Sequence, residues 1–351
     1  MTEAAPERTM ALGREGEVLP ADGPPGECRI VLYRRGAPPR EVAGLGDVQG
    51  ALDTDPEALA WIALTEPDRG QMEEVGRRFD LPRLAVEDTI VAHQRPKVEA
   101  YGDILFMVLR PAVYDEAEER LRVGEVHLFV TPRLVITLRH GAGLDFQEIR
   151  ARMEEHGHPG GQGALGVVHA VLDRVVDDYA PVVAGLQEDI DEVENQVFNE
   201  EKGVSRRIYR LTREVIVLQR AVDPLGEVLA GLLDHRDRSQ GRRRSELHEH
   251  LRDVADHVTV VRERVDGFRD LLQNIMSVES SLVDQAQNDV MRKVSSWGGI
   301  LVVPTLISSL YGMNIAPGPG YHWLFTWPLT LAAMALLSLL LYVLFKRQGW
   351  L

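Results

Sequence analysis

The sequence predicts an α/β domain that is followed by a long helical stretch and two membrane-spanning helices. Three observations predict this fold class. Short apolar runs separated by Gly and Pro fill the chain up to about residue 160, and apolar residues at helical spacing dominate from Leu165 onwards. Charged residues are dense from about residue 41 to residue 293, whereas residues 294–345 contain no Asp, Glu, Lys or Arg. A stretch without charge of this length is typical of membrane segments.

The composition narrows the possible classes of function. A net charge of −15 over 351 residues argues against nucleic acid as a partner, because a phosphate backbone requires a basic surface. Cys28 is the single cysteine of the sequence, so neither an intrachain disulfide nor a zinc site made of several thiolates is expected. The first residues include Glu3 and Glu7 and have no apolar core run, so they do not resemble a secretory signal peptide.

The N-terminal part is predicted to be a tail followed by a mixed domain. Residues 1–26 are rich in Ala, Gly, Pro and Glu and are expected to be a disordered tail. Residues 27–160 are predicted to form the α/β cytosolic domain. Five apolar runs predict strands, at 28–33, 61–64, 104–109, 125–130 and 134–138. Helices are predicted at 69–79 and 81–91.

Residues 161–244 are predicted to form an acidic helical hairpin. Its first helix is expected to end near Phe198, and its second is expected from Ser205 to about Asp234 with a kink at Pro224. A charged loop is expected from His235 to Arg244. The acidic run at 188–194 is interpreted as a solvated helix face, with local enrichment of cations as the alternative.

A single long helix is predicted for residues 245–311, in the membrane from about residue 294. At 1.5 Å per residue it would extend for about 100 Å, so it needs neighbouring helices to cover it. Residues 312–323 are predicted to be an extracytoplasmic loop, residues 324–345 a second transmembrane helix and residues 346–351 a basic cytosolic tail. Basic pairs at 292–293 and 346–347 flank the two spans, which predicts that both termini are cytoplasmic.

The first span carries a polar stripe. Two interpretations are open: close packing of helices through small residues, or a water-lined pore made of several copies. In the second interpretation Met291 and Val302 form apolar collars that gate by dewetting, and Pro304 frees a carbonyl group. The predicted pore-lining residues are Asn288, Met291, Ser295, Gly298, Val302, Thr305 and Ser309.

The first span ends at Tyr311-Gly312-Met313-Asn314, and here the chain resembles the CorA family of magnesium and cobalt channels. The family's signature is Gly-Met-Asn at the end of the first transmembrane helix, followed by a short outer loop and a second span near the C-terminus. Four further segments are similar to the family's cytosolic domain, at residues 87–90, 93–99, 176–179 and 252–257. The resemblance covers the chain from about residue 28 to its end.

The resemblance implies a homopentameric funnel in the inner (plasma) membrane, with the lipid bilayer around its second span. It implies uptake of Mg²⁺, and of Co²⁺ or Ni²⁺, with Asn314 as the selecting residue. A ring of carboxamide oxygens accepts hydrogen bonds from the water shell of Mg²⁺, an ion that loses water reluctantly. Thr305 and Asn288 are further candidate polar sites in the pore, and Tyr311 suits the membrane interface.

The resemblance also implies regulation by cytosolic Mg²⁺. Carboxylates at the interface between subunits would bind the ion and hold the pore closed. Asp88 and Asp253 match the facing positions, and Glu87 and Asp177 are companions. Unbound carboxylates repel one another, so a bound metal would favour the closed arrangement.

Three alternatives stay open at this point. The outer loop has no acidic residue, and His322 is its only ionisable group, so the similar ZntB transporters and Zn²⁺ remain an alternative. An enzyme is not expected, because no Gly-rich phosphate loop, His-Glu-x-x-His motif or nucleophile elbow occurs, and His156 and His158 lie in a Gly-rich segment. A membrane-tethered structural assembly is the third alternative, and the polar stripe argues against it.

Overall fold

The structure is a computed structural model of the chain, and it describes residues 26–141, 143–156, 163–239, 244–312 and 328–351. The described residues form nine strands and ten helices. The strands are β1 (Glu27–Arg34), β2 (Ala37–Val42), β3 (Leu59–Thr65), β4 (Lys97–Tyr101), β5 (Ile104–Leu109), β6 (Ala112–Asp115), β7 (Arg120–Val123), β8 (Glu125–Val130) and β9 (Leu134–His140). The helices are α1 (Leu45–Thr54), α2 (Arg69–Arg78), α3 (Arg83–Val91), α4 (Phe146–His156), α5 (Ala164–Asp177), α6 (Tyr179–Phe198), α7 (Val204–Val222), α8 (Leu225–Ser239), α9 (Arg244–Gly312) and α10 (Pro328–Arg347).

A seven-stranded sheet is the centre of the first compact unit, Met1–Gln273. Its strand order is β2-β1-β3-β9-β8-β5-β4, and only the β3–β9 pair is parallel among the described strands. Strands β6 and β7 form a separate two-stranded sheet. The parallel pair places the ends of β3 and β9 next to each other, since Thr65 is in register with Arg139.

The sheet is covered on both faces, which explains why its central strands are apolar along their whole length. Helices α1, α2 and α3 cover one face, where Val48, Met72, Val75 and Val86 join the strand residues in one core. Helices α4 and α5 lie against the other face: the ring of Phe146 meets that of Trp61, and α5 contacts β8 and β9. Helix α3, which carries Asp88, is thereby held against one face of the sheet.

The first part of α9 has an apolar seam with the spacing of a helix that packs along its length. Every third or fourth side chain is buried, as expected when one stripe of a helix faces its neighbours. The seam consists of Leu251, Val254, Val258, Val261, Val265, Phe268 and Leu272. Hydrogen bonding across to α7 is provided by Gln219, whose Nε2 donates to Oδ1 of Asp266 at 2.9 Å.

The second compact unit, Asn274–Leu351, contains the remainder of α9 and all of α10. Two helices of the described chain are long and apolar enough to cross a membrane. The span in α10 has a mean hydropathy of 2.1 and that in α9 one of 1.2. Basic residues Lys346 and Arg347 end α10, and the chain then turns so that the ring of Trp350 stacks on that of Phe345.

The predicted fold class is confirmed, and so are all five predicted strands and the uninterrupted helix that ends at the Gly-Met-Asn motif. The helical region before α9 differs from the expected pair of helices at Asp178, which separates α5 from α6. The separation of α7 from α8 lies at Pro224, where a kink was predicted. Pro181 and Pro224 each lack an N–H for the helical ladder, which explains both breaks. Helix α8 also continues to Ser239, where a loop was expected from His235.

The close approach of α6 to β6 yields a test of the fold. A Cβ atom at Gly185 would lie 2.5 Å from Cδ1 of Tyr114, whose hydroxyl is fixed by donating to Asp189. Gly185→Ala is therefore expected to destabilise the protein by about 1–3 kcal/mol, despite the higher helix propensity of Ala. Urea unfolding of the purified protein measures this.

The matched control is Gly226→Ala, in the first turn of α8, where an added Cβ meets nothing within 4 Å. We expect that variant to be neutral or more stable by a few tenths of a kcal/mol, roughly the propensity gain. Equal stability of the two variants would contradict the packing of Tyr114 on α6.

Candidate functional site

The polar stripe of α9 is exposed in the single chain. All seven predicted pore-lining residues have exposed side chains or, for Gly298, an exposed backbone. The two apolar members are as open as the polar ones, with 62% of Met291 and 56% of Val302 accessible. The structure therefore brings these residues onto one uncovered face, and nothing within the described chain packs on it.

The buried side of the same helix lies about a third of a turn away. Ser296 and Ile300 are buried there, and Ser296 donates its hydroxyl hydrogen to the Arg292 carbonyl oxygen at 2.8 Å. A Cβ atom at Gly299 would lie 3.6 Å from Cε2 of Phe345, so α10 packs closely on this side. The second apolar helix thus covers one side of α9 and leaves the polar stripe free.

Two residues near the middle of the span change the hydrogen bonding of the helix. Pro304 lies inside α9 and has no N–H to donate to the carbonyl oxygen of Ile300. The Thr305 hydroxyl donates to the Leu301 carbonyl oxygen at 2.8 Å, so the hydroxyl oxygen keeps its lone pairs for an outside donor. The Thr305 hydroxyl thus supplies a hydrogen-bond acceptor on the exposed stripe, which is what the water shell of a cation requires, whereas Ile300 lies on the buried side of the helix.

Of the Tyr311-Gly312-Met313-Asn314 motif, the structure describes the backbone of the first two residues. Tyr311 and Gly312 form the last turn of α9. Met313 and Asn314 lie outside the described residues, and so does His322.

The spans carry much exposed apolar surface. On α9, Val294, Trp297, Leu301, Leu306 and Leu310 are each more than half accessible. Along α10, Leu331, Leu336, Leu339 and Leu340 are similarly open. Exposed apolar area on this scale is typical of a surface that contacts lipid or other protein chains.

The carboxylate of Asp88 is held by a lysine. Lys97 Nζ lies 2.7 Å from Asp88 Oδ2 and 3.1 Å from Glu99 Oε1, and about a quarter to a third of the Lys97 and Asp88 side chains is accessible. Burial lowers the pKa of Lys97, but the hydrogen bonds to Asp88 and Glu99 outweigh it and the pKa is raised. The neighbouring Glu87 is exposed and pairs with Arg83 at 3.4 Å.

A buried polar network fixes the end of α3 that follows Asp88. Glu125, only 4% accessible, accepts hydrogen bonds from the backbone N–H groups of His93 and Gln94. A nitrogen of His140, Nε2, lies 3.0 Å from the Thr89 carbonyl oxygen. The other, Nδ1, lies 3.4 Å from Glu66 Oε2. The position of the Asp88 helix is thereby tied to the ends of β3, β8 and β9.

Asp253 lies on the exposed side of α9, between buried residues of the seam. Helix α5 faces it with Asp173 and His169, and the ring of His169 lies 5.1 Å from that of His250 between centroids. Burial raises the pKa of Asp173, and the nearby carboxylates of Asp177 and Asp253 raise it further. This part of the surface is therefore a concentration of negative charge that favours cations.

Within the described part of one chain, no three His, Cys, Asp or Glu side chains converge closely enough to hold a metal ion. Asp88 and Asp253 have different partners, so the structure of one chain does not bring these two predicted residues together.

Sequence reasoning missed three groups that the fold places beside the candidate carboxylates: Lys97 next to Asp88, and Asp173 and His169 next to Asp253. Asp173 and His169 stand at helical spacing on α5, one turn apart, and the pattern alone does not distinguish them from solvated residues. Lys97 lies within a segment that resembles the family. Its contact with Asp88 depends on how β4 follows α3 in space, and no residue spacing indicates that.

A family model described as CorA-like Mg²⁺ transporter protein matches residues 56–347. The cobalt/magnesium transport protein CorA of Thermotoga maritima is 30% identical over 309 residues, covering 87% of each chain. A zinc transport protein, ZntB of Yersinia pseudotuberculosis, is 23% identical over 276 residues, which is 77% of this chain and 81% of that protein.

A solved structure has the same fold. The CorA magnesium transporter of Methanocaldococcus jannaschii superposes with a TM-score of 0.70 at 16% identity, covering 92% of this chain and 98% of that one. At this level of identity the likeness concerns the fold alone.

The buried network yields a test by pH. Burial lowers the pKa of His140, but Glu66 outweighs it and raises the pKa above the ordinary 6.5. Because the pKa of His140 is higher in the folded state than in the unfolded state, protonated His140 stabilises the folded protein. This stabilisation is complete below pH 6.5 and is lost as the pH rises through the pKa of the folded state. We therefore expect the free energy of unfolding to fall as the pH increases from 6.5, and His140→Gln to flatten that fall. Urea unfolding at several pH values measures it.

The other members of the network change their charge at lower pH. Burial lowers the pKa of His127, so the contribution of this residue to the free energy of unfolding changes only below pH 6.5. The pKa values of Glu66 and Glu125 lie below 4.5, because hydrogen bonds outweigh the effect of burial. An unchanged slope above pH 6.5 in His140→Gln would contradict the assignment.

Proposed function

Because this chain belongs to the CorA family of divalent-metal transporters, we propose that it conducts Mg²⁺ through a pore lined by the polar face of α9. The family consists of membrane transporters and not of enzymes. The observation that carries the proposal is the uncovered stripe from Asn288 to Ser309, on the side of α9 that α10 leaves free.

The chemistry of the stripe suits a hydrated ion. Mg²⁺ releases its water ligands reluctantly, so a pore for it has to offer acceptors to water hydrogens. The Thr305 hydroxyl oxygen and the Asn288 carboxamide are acceptors of that kind. At the outer end, a ring of Asn314 side chains would select the hydrated ion by the same interaction, with Gly312 permitting the turn and Met313 packing behind it.

Gating is proposed to use the apolar members of the stripe. Met291 and Val302 lie on the same face as the polar residues, and both are more than half accessible in one chain. Rings of such side chains would exclude water when they close together, and ions cannot cross a dewetted constriction. Ser295, Gly298 and Ser309 would line the wider parts of the pore.

Several copies are needed to enclose such a pore, and we propose a homopentamer embedded in the lipid bilayer. The exposed leucines of α10 and the exposed Trp297 and Leu301 of α9 supply the surfaces for lipid and neighbouring chains. The basic pairs at 292–293 and 346–347 favour cytoplasmic termini at the inner membrane.

The identity of the ion rests on the relatives. The Thermotoga maritima protein is named for cobalt and magnesium, which favours Mg²⁺ with Co²⁺, and by similar chemistry Ni²⁺, as further substrates. The second candidate is Zn²⁺, favoured by the similarity to ZntB and by the absence of acidic residues between Ile315 and Trp323.

Cytosolic Mg²⁺ is proposed to regulate the pore through carboxylates of neighbouring subunits. Asp88 is half-buried on α3. Asp253 is exposed on α9, the helix that would line the pore, and lies near Asp173 of α5. Glu87 and Asp177 are exposed next to them and would complete the ligand set. A bound ion cancels the repulsion among these carboxylates and so favours the closed arrangement.

The selectivity proposal predicts the effect of Asn314→Ala on ion flux. Removing the carboxamide removes the acceptor for the ion's water shell, so Mg²⁺ uptake by liposomes containing the purified protein should fall at least tenfold. Uptake of Mg²⁺, Co²⁺, Ni²⁺ and Zn²⁺, with and without a proton gradient, is measured in parallel to separate the two candidate functions.

The matched control is Asn199→Ala, which removes the same group from the exposed end of α6 and should leave uptake unchanged. Mg²⁺ uptake that survives Asn314→Ala would contradict the assignment of the motif. Uptake restricted to Zn²⁺ would favour the second candidate function.

The regulatory proposal predicts that Asp88→Ala with Asp253→Ala weakens inhibition by Mg²⁺ on the cytosolic side. Two carboxylate ligands are lost, so the inhibitory concentration of Mg²⁺ should rise about tenfold or more. The measurement is the initial rate of uptake as a function of Mg²⁺ on the cytosolic side. Asp103→Ala with Asp256→Ala removes two other exposed carboxylates and serves as the control. Equal inhibition of the two double variants would contradict the proposal.

A further inference from the structure

Lys97 occupies the carboxylate that the proposed regulatory site would use. Its ammonium group contacts Asp88 Oδ2 at 2.7 Å, which is the distance of a strong charge-assisted hydrogen bond. Asp88 is therefore already paired with a cation of its own chain. An ion that binds there has to displace this contact or share the carboxylate with a positive charge.

Two further contacts fix the ammonium group in place, and the first of its partners is itself held by a tyrosine. Glu99 Oε1 accepts from it at 3.1 Å, and the Tyr101 hydroxyl donates to the other oxygen of Glu99 at 2.7 Å. The ring of the fully buried Phe106 lies 5.5 Å from Lys97 Nζ, within the range of a cation–π interaction. Lys97 itself is a residue of β4, paired with Val108 of β5, so its backbone belongs to the sheet.

We propose that Lys97 is a tethered cation that competes with the divalent ion for Asp88 and so sets the concentration at which the regulatory site fills. This inference rests on the proposed function, and specifically on Asp88 as a regulatory ligand. Because Lys97 is part of the chain, its local concentration is constant. The Mg²⁺ concentration at which the site fills is then determined by the structure of the protein.

The arrangement makes the exchange reversible. When a divalent ion takes Asp88, Lys97 keeps Glu99 as a partner and is not left as an uncompensated half-buried charge. When the ion leaves, Lys97 again neutralises Asp88. The carboxylate thus has a cationic partner in both states, and the difference between the two partners decides the affinity of the site.

The test is Lys97→Met, which keeps the length and apolar stem of the side chain and removes its charge. Without the competitor, Mg²⁺ should inhibit uptake at a concentration about threefold to tenfold lower, the range expected for a partly exposed ion pair. Lys97→Arg keeps the positive charge and should stay within about twofold of the unchanged protein. Thermal unfolding of the full-length protein in detergent, with and without Mg²⁺, gives a second readout that does not depend on transport.

The matched control is Arg95→Met, which removes the same charge two residues away. Arg95 is exposed, and no ion pair of it occurs among the described residues. If Arg95→Met lowers the inhibitory concentration as much as Lys97→Met does, the effect is one of net charge and the inference is overturned. An unchanged or raised inhibitory concentration in Lys97→Met overturns it as well.

Asp88→Asn separates the inference from the function on which it rests. If Asp88 is a regulatory ligand, this variant weakens inhibition, and adding Lys97→Met to it should produce no further shift. If Asp88→Asn leaves both inhibition and the Mg²⁺-dependent unfolding temperature unchanged, the regulatory proposal itself fails. Weaker inhibition in Asp88→Asn together with no gain in Lys97→Met overturns the competition by Lys97 alone.

Discussion

The continuity of α9 is the constraint on which the rest of the structure depends. A helix satisfies its backbone hydrogen bonds internally, so one element can belong both to a water-exposed domain and to a hydrocarbon layer. Its first part is defined by a buried apolar seam from Leu251 to Leu272, and its last part by an uncovered polar stripe from Asn288 to Ser309. Asp253 therefore lies on the same uninterrupted helix as the proposed pore, although the surroundings of the two parts differ.

Both candidate sites are incomplete in one chain, and for the same physical reason. Polar and charged groups require partners, yet the stripe of α9 is exposed and the carboxylates of Asp88 and Asp253 do not meet. The exposed apolar side chains around the stripe, such as Val294 and Leu301, would be costly in water. The proposed assembly of several copies in a bilayer would account for these surfaces together, since lipid and neighbouring chains would cover them.

The sequence predicted what depends on local pattern and missed what depends on contact. Apolar runs indicated the five strands with the most buried side chains, whereas β2, an edge strand with two prolines, and β4, with alternating polar residues, gave no such signal. The break at Asp178 was hidden because both flanking helices have helical spacing. Within the candidate site, the polar stripe could be predicted from its helical spacing, and the motif from its position at the end of the first span. The pairing of Asp88 with Lys97 was not, since it arises only when β4 forms the edge of the sheet beside α3.

That pairing changes the character of the proposed regulatory site. The Asp88 side chain is 32% accessible, and Lys97 supplies its counter-charge within the chain. In the proposed exchange, Asp88 would be paired with a cation whether or not a divalent ion is bound. In the proposed regulation, the step that closes the pore would then be an exchange of one cation for another. The free energy available for closing would be the difference between the two partners, and Lys97 would set the Mg²⁺ concentration at the midpoint of the response.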